Sequence, residues 1–172
     1  LLLETAEQLS GLEIDYYIGL NYAAFKDVID HLGGVEFEVD RVIEARGLRL
    51  EPGLQVLNGD QAFALVSFRK EPLGDIGRVQ RQQRFIMALL NEAKTKPLRS
   101  LLLVFKVFWD NVDTDIELHE VAVQALKYRG IEEEDISMEI VPGSFYNYES
   151  RSYWKPDIAQ TEEIIKAYFG DE

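Results

Sequence analysis

Three arginines and three glutamines stand within seven positions of the stretch GDIGRVQRQQR, residues 74–84. The wider segment Phe68–Arg84 holds five basic residues (Arg69, Lys70, Arg78, Arg81, Arg84) against two acidic ones (Glu71, Asp75), a local charge of +3. The whole chain has 18 basic and 31 acidic residues and a net charge of −13, so everything outside the segment sums to −16. Guanidinium groups gathered in an acidic chain suit an oxyanion, because the planar fork makes bidentate contacts to phosphate oxygens. On a helix Arg78, Arg81 and Gln82 fall at i, i+3 and i+4 and share a face. They sit in the first two turns, where the helix dipole favours an anion and opposes a cation. Either internal carboxylates relieve that conflict or a bound anion does. Arg69, arriving from the preceding helix, tips the reading towards a phosphate or pyrophosphate. Asp75 has two readings, an N-cap worth about 1 kcal/mol and a carboxylate beside arginines that acts as general base or orients a hydroxyl, compatible only if the cap is also solvent-accessible.

Other chemistries are excluded by composition. The absence of cysteine removes thiol catalysis, disulfides and cysteine-ligated zinc. The two histidines, His31 and His119, lie in helical stretches with no Ser or Cys in a nucleophile setting, so a histidine-dependent triad is not expected. Net acidity argues against nucleic acid, which needs a broad basic face. No apolar run approaches the ~20 residues of a membrane span, and no signal peptide opens the chain. At 172 residues, 47% hydrophobic and 28% charged, the chain has the profile of one globular domain with a sizeable core.

The elements that must position these residues follow from periodicity. LLLETAEQLSGL carries Leu2, Ala6, Leu9 and Leu12 at helical spacing, yet nothing before Leu1 caps it. We therefore expect one domain over 1–172 that begins inside a larger one. IDYYIGL (14–20) reads as a strand. Residues 21–34 read as a helix with Asn21 as N-cap and Gly33 beyond its end. VEFEVD (35–40) alternates as a half-buried strand, and a short LRL strand precedes the EPG turn. Asn58 opens a helix with Gln61 as its capping-box partner. A long helix runs from Asp75 to about Lys94, with Val79, Ile86, Leu89, Leu90 and Ala93 on its buried face. Helices over 98–109 and 116–129, a strand over 136–141, a loop rich in Tyr and Trp, and a helix over 157–169 complete the chain. Interleaved strands and helices predict an α/β class: a layered α/β/α arrangement with a central mixed sheet flanked by helices. Phe25, Ile29, Phe85, Leu89 and the LLLVFKVFW helix are apolar enough to line a tunnel or to form plain core. Tyr146, Tyr148, Tyr153 and Trp154 suit either stacking on sugar rings or packing of a C-terminal loop.

The stretch GLQVLNGDQAFALVSFRKEPLGDIGRVQRQQ resembles the LytR-CpsA-Psr family, whose pattern runs G-x-x-x-L-x-G-x-x-A-L-x-Y-x-R-x-R…D-x-G-R-x-x-R-Q-Q. IDYYIGLNYAAFKDVIDHLGGVEFEVD and VPGSFYNYESRSYWKPD are similar to the flanking parts of the domain. The resemblance implies an extracytoplasmic, membrane-anchored phosphotransferase of the bacterial cell envelope. It would move a phosphorylated glycopolymer (teichoic acid or capsule) from a polyprenyl-pyrophosphate carrier onto peptidoglycan or a similar acceptor. By match, Arg69, Arg78, Arg81, Gln82 and Gln83 bind the pyrophosphate, and Asp75 and Arg78 are catalytic. Hydrolysis of the pyrophosphate without transfer, or carrier binding alone, are the alternatives. Ser67 stands where the family's first arginine is expected. The family's earlier block, with an Arg and Asp residues that bind Mg2+, has no counterpart, so the resemblance implies a magnesium cofactor with ligands outside this chain. It likewise places the membrane anchor outside the chain.

Overall fold

The structure is a computed structural model and describes residues 2–70, 74–127, 130–149 and 151–170. Its helices are α1 (Leu2–Ser10), α2 (Tyr22–Leu32), α3 (Gly59–Ser67), α4 (Gly74–Thr95), α5 (Leu98–Trp109), α6 (Leu118–Lys127) and α7 (Ile158–Phe169). Its strands are β1 (Ile18–Leu20), β2 (Val35–Val39), β3 (Ile43–Ala45), β4 (Leu48–Leu50), β5 (Gly53–Leu57), β6 (Val112–Thr114), β7 (Gly143–Tyr148) and β8 (Arg151–Pro156). The α/β class matches the interleaved pattern. The described strands pair as separate two-stranded antiparallel ladders, β1 with β6, β2 with β5, β3 with β4 and β7 with β8. They do not join into one central mixed sheet. Several strands are only three residues long, too short for an extended ladder.

The chain divides into two compact units, residues 18–136 and a smaller one made of residues 1–17 with 137–172. In the larger unit, β2 buries Val35, Phe37 and Val39 and exposes Glu36 and Glu38, as strict alternation requires. Asn21 caps α2 by accepting from the Ala24 N–H at 2.9 Å. Gly33 ends α2 in the left-handed region (φ 90°), and the next N–H, from Gly34, returns to the Ile29 carbonyl. Gly34 is also left-handed (φ 97°), and a Cβ there would stand 2.6 Å from Val56 Cγ1, so glycine is required twice over. Asn58 and Gln61 form the expected capping box at the start of α3. The core joins Ile29, Leu32, the β2 side chains, Ile43, Leu50, Leu57, Leu65 and Phe85.

The buried face of α4 differs from the expected one. It runs Gly77, Arg81, Phe85, with Ala88, Leu89 and Ala93 packed against the core, whereas Ile86 and Leu90 are exposed. The apolar residues of α4 spread round the helix, and contact with β2 and α3 selects the i, i+4 row that carries Phe85.

In the smaller unit α1 packs on α7, and Asp157 caps α7 by accepting from the Gln160 N–H at 3.1 Å. The strand expected over 136–141 is irregular backbone, and the expected Tyr- and Trp-rich loop is the β7–β8 hairpin. Cross-strand aromatic pairing explains the difference: Phe145 meets Trp154 edge-on at 5.2 Å.

Candidate functional site

The end of α3, the start of α4 and the β3–β4 hairpin surround a cleft of about 710 Å³ in the larger unit. Among the described residues four cations line it (Arg46, Arg69, Lys70 and Arg78) against one carboxylate, Glu44. Arg49 on the opposite strand engages that carboxylate. Ser67 and Gln82 contribute polar atoms, and Phe63, Val66 and Phe68 form an apolar floor. Such a floor lowers the local dielectric and strengthens attraction between the cations and an anion.

Arg69 and Arg78, both expected from the sequence, are thus brought together. Arg69 follows the C-terminus of α3 and is exposed; Arg78 sits in the first turns of α4 and is half-buried. Gln82, one turn after Arg78, lines the same cleft, and its Nε2 donates to the Val66 carbonyl at 3.0 Å. Gln83 is half-buried on α4 outside the lining. Asp75 lies within α4, one residue inside its start rather than ahead of it, and its side chain falls outside the described residues.

Arg81 corrects the expected convergence. It does not line the cleft but is buried, only 2% exposed. Its Nε donates to the Leu65 carbonyl at 2.7 Å and an Nη to the Phe68 carbonyl at 2.5 Å. These carbonyls close the C-terminus of α3, where a cation complements the helix dipole and satisfies acceptors that the helix leaves open. Burial pushes the Arg81 guanidinium below its ordinary pKa; Asp40 pulls it back up, while Arg41 and Arg84 add to the depression. Arg81 and Gln82 together bind the end of α3 to α4, and so fix where Ser67, Phe68 and Arg69 stand. Arg84 takes the bland role weighed for the cluster: it faces Asp40 at 3.6 Å and covers the Phe37 ring.

Sequence reasoning missed Arg46. It belongs to the two-residue turn of the β3–β4 hairpin, and the visible signal was the Arg-Gly pair inside IEARGLRL. Of the apolar candidates, Ile29 and Phe85 are core residues, and Phe25 and Leu89 pack against that core. The hairpin tyrosines Tyr146, Tyr148 and Tyr153 are about half exposed, with Tyr146 and Tyr148 stacked nearly parallel at 6.5 Å. Among the described residues no group of three or more His, Cys, Asp or Glu side chains is placed to hold a metal ion.

The fold is mixed α/β, and it sets a guanidinium-lined cleft between the end of α3, the start of α4 and the β3–β4 hairpin. The LytR_cpsA_psr family profile matches residues 1–169, and the chain belongs to that family. It is 31% identical over 162 residues to the polyisoprenyl-teichoic acid–peptidoglycan teichoic acid transferase TagU of Bacillus mycoides, covering 92% of this chain and 53% of that protein. It is 28% identical over 165 residues to TagU of Bacillus subtilis, covering 95% of this chain and 54% of the relative. The crystal structure of B. subtilis TagV superposes with a TM-score of 0.79 at 25% identity, over 96% of this chain and 68% of that one. The chain spans about half the length of the curated TagU relatives it matches.

Proposed function

We propose that this chain belongs to a cell-envelope transferase that moves a phosphorylated glycopolymer from a polyprenyl-pyrophosphate carrier onto peptidoglycan or a similar wall acceptor. The carrying observation is the cleft lined, among the described residues, by four cations against one carboxylate. A pyrophosphate is compact and highly charged, and such a cleft offers it guanidinium forks. Family membership and the activity in the TagU relatives' name support the reading.

In this reading Arg69, Arg78 and Lys70 hold the pyrophosphate oxygens. An acceptor hydroxyl attacks the glycan-bearing phosphorus, a new P–O bond forms, and the bridging P–O bond breaks. Polyprenyl phosphate leaves, and the hydroxyl proton passes to a base, for which Asp75 is our candidate. Charge on the equatorial oxygens and the leaving phosphate grows along this path, and fixed guanidinium groups stabilise it without reorganising. Arg81 acts through position, holding the end of α3 from which Arg69 projects. We further propose, from the family resemblance alone, that transfer needs magnesium held outside this chain. We also place the enzyme at the extracytoplasmic face of a bacterial membrane. Among the described residues no helix is long and apolar enough to cross a membrane, so the anchor in this reading lies elsewhere.

Calorimetric titration with inorganic pyrophosphate tests the reading. Arg69→Ala and Arg78→Ala should each weaken binding about tenfold to a hundredfold, the loss of one charge-assisted contact. Incubation of a longer form that includes the preceding part of the domain with a polyprenyl-pyrophosphate glycan should release polyprenyl phosphate only when both magnesium and peptidoglycan fragments are present. Unchanged affinity in both variants, or release independent of acceptor, would overturn the transfer reading.

A further inference from the structure

We propose that Arg46 is an anion-gripping residue of this cleft, supplied by the hairpin turn to the place beside Ser67, and that the turn is strained to put it there. The inference rests on the pyrophosphate reading above and adds a residue to it.

Geometry carries the argument. The β3–β4 turn has two residues, Arg46 and Gly47, and both have positive φ, 53° and 77°. Two-residue hairpins of this kind favour Asn-Gly or Gly-Gly, because a bulky side chain in the left-handed region meets its own backbone. An arginine at the first position is a local disadvantage, and strain of this sort persists where the side chain is needed. The Arg46 side chain reaches the cleft, where its Nε donates to Ser67 Oγ at 3.1 Å. Its guanidinium lies 4.1 Å from the centre of the Phe63 ring and 5.7 Å from that of Tyr22.

The hydrogen bond to Ser67 uses one N–H of the guanidinium. Among the described residues no carboxylate pairs with Arg46, and no second hydrogen bond is formed by its remaining N–H groups. A stacked guanidinium is pre-oriented, so little rotamer freedom is lost when it takes an oxyanion in its fork. The serine contact also explains why a small hydroxyl suits position 67. A longer cation there would occupy the space that Arg46 fills and would repel it.

Inorganic pyrophosphate titrated into four forms of this chain tests the proposal: wild type, Arg46→Gly, Ser67→Arg and the double variant. Arg46→Gly should weaken binding about tenfold or more while raising the thermal midpoint, because glycine relieves the left-handed turn. Ser67→Arg should tighten binding little in the wild type, yet restore most of the loss in Arg46→Gly. That non-additivity is the signature of two positions sharing one space. Arg46→Lys should recover only part of the affinity, since it lacks the planar fork. Unchanged affinity in Arg46→Gly, with Arg69→Ala still weakened, would overturn the role of Arg46 and leave the pyrophosphate reading intact. A lower midpoint in Arg46→Gly would overturn the strain argument and make the residue a packing element. Absence of pyrophosphate binding in the wild type would remove both.

Discussion

Arg81 and Arg69 carry the same charge within a short stretch of chain, yet they do different work. Arg81 is buried and donates to the Leu65 and Phe68 carbonyls; Arg69 is exposed at the rim of the cleft. Truncating Arg81 leaves two buried carbonyl acceptors and a void beneath Phe68. Arg81→Ala should therefore lower stability by about 3 kcal/mol or more, read as a fall in the urea midpoint. Lysine at this position should rescue only in part, because it lacks the planar fork that presents two N–H groups to the two carbonyls. Arg69→Ala should stay within about 0.5 kcal/mol of wild type and lose affinity instead. Equal stability of the two variants would refute the division. The sequence showed the arginines, their number and their oxyanion chemistry, but not which of them face the cleft. Spacing alone places Arg78, Arg81 and Gln82 on one side of α4. What decides is that Arg81 also stands one turn before Phe85, the residue that the core takes in. Periodicity names the faces of a helix without saying which face is buried, and here the polar residues were set against the wrong apolar row.

At the scale of elements, α2 and α3 are joined by a small polar network. Asp60 in the first turn of α3 accepts from the Tyr22 hydroxyl at 2.7 Å and pairs with Lys26 Nζ at 2.5 Å. Asp30 on α2 accepts from the Gly59 N–H at 2.7 Å, placing a carboxylate at the α3 N-terminus. A Cβ on Gly59 would meet the Lys26 carbonyl oxygen at 2.6 Å, so the helices touch through backbone and glycine is needed at the crossing. The hydrogen bonds from Lys26 and then Tyr22 hold the Asp60 carboxyl below the ordinary aspartate value. A carboxyl depressed in the folded state contributes stability that is present above its unfolded value and lost as pH falls through its folded value. Thermal midpoints taken from about pH 5 down to about pH 2.5 should fall less steeply in Asp60→Asn than in wild type. Parallel curves would show that the pair contributes nothing. Capped helices were legible here because Asn21, Asn58, Gln61 and Gly33 each have a local mechanism. The short strands β3, β5 and β6 and the β7–β8 hairpin were not. β3 and β6, at three residues each, have no periodicity to read, the five-residue β5 opens on the glycine of the EPG turn, and exposed cross-strand aromatics resemble a loop.

For the whole molecule, a cleft rich in arginine is embedded in a chain of net charge −13. Pyrophosphate approaching from a distance meets the field of the entire acidic chain before it meets the cleft. The screening length shrinks from about 30 Å at 0.01 M salt to about 10 Å at 0.1 M. Added salt should hide the distant carboxylates first. The association rate for pyrophosphate should therefore rise over this range, by about twofold or more, against the fall usual for cationic sites. A steep fall in stopped-flow measurements would mean that the local cations govern the approach.

The division of the chain into two units has an optical consequence. There are two tryptophans, one in each unit: Trp109 at the end of α5 in the larger, and Trp154 on β8 in the smaller. The Trp154 indole N–H is tied to the Val141 carbonyl at 2.9 Å, so its emission is coupled to the irregular segment beside the hairpin. Trp109 stacks with Phe105 one turn back, which ties its emission to the end of α5. Two single-tryptophan forms, Trp109→Phe and Trp154→Phe, would give each unit its own intrinsic fluorophore. The melting of either could then be followed in unlabelled protein.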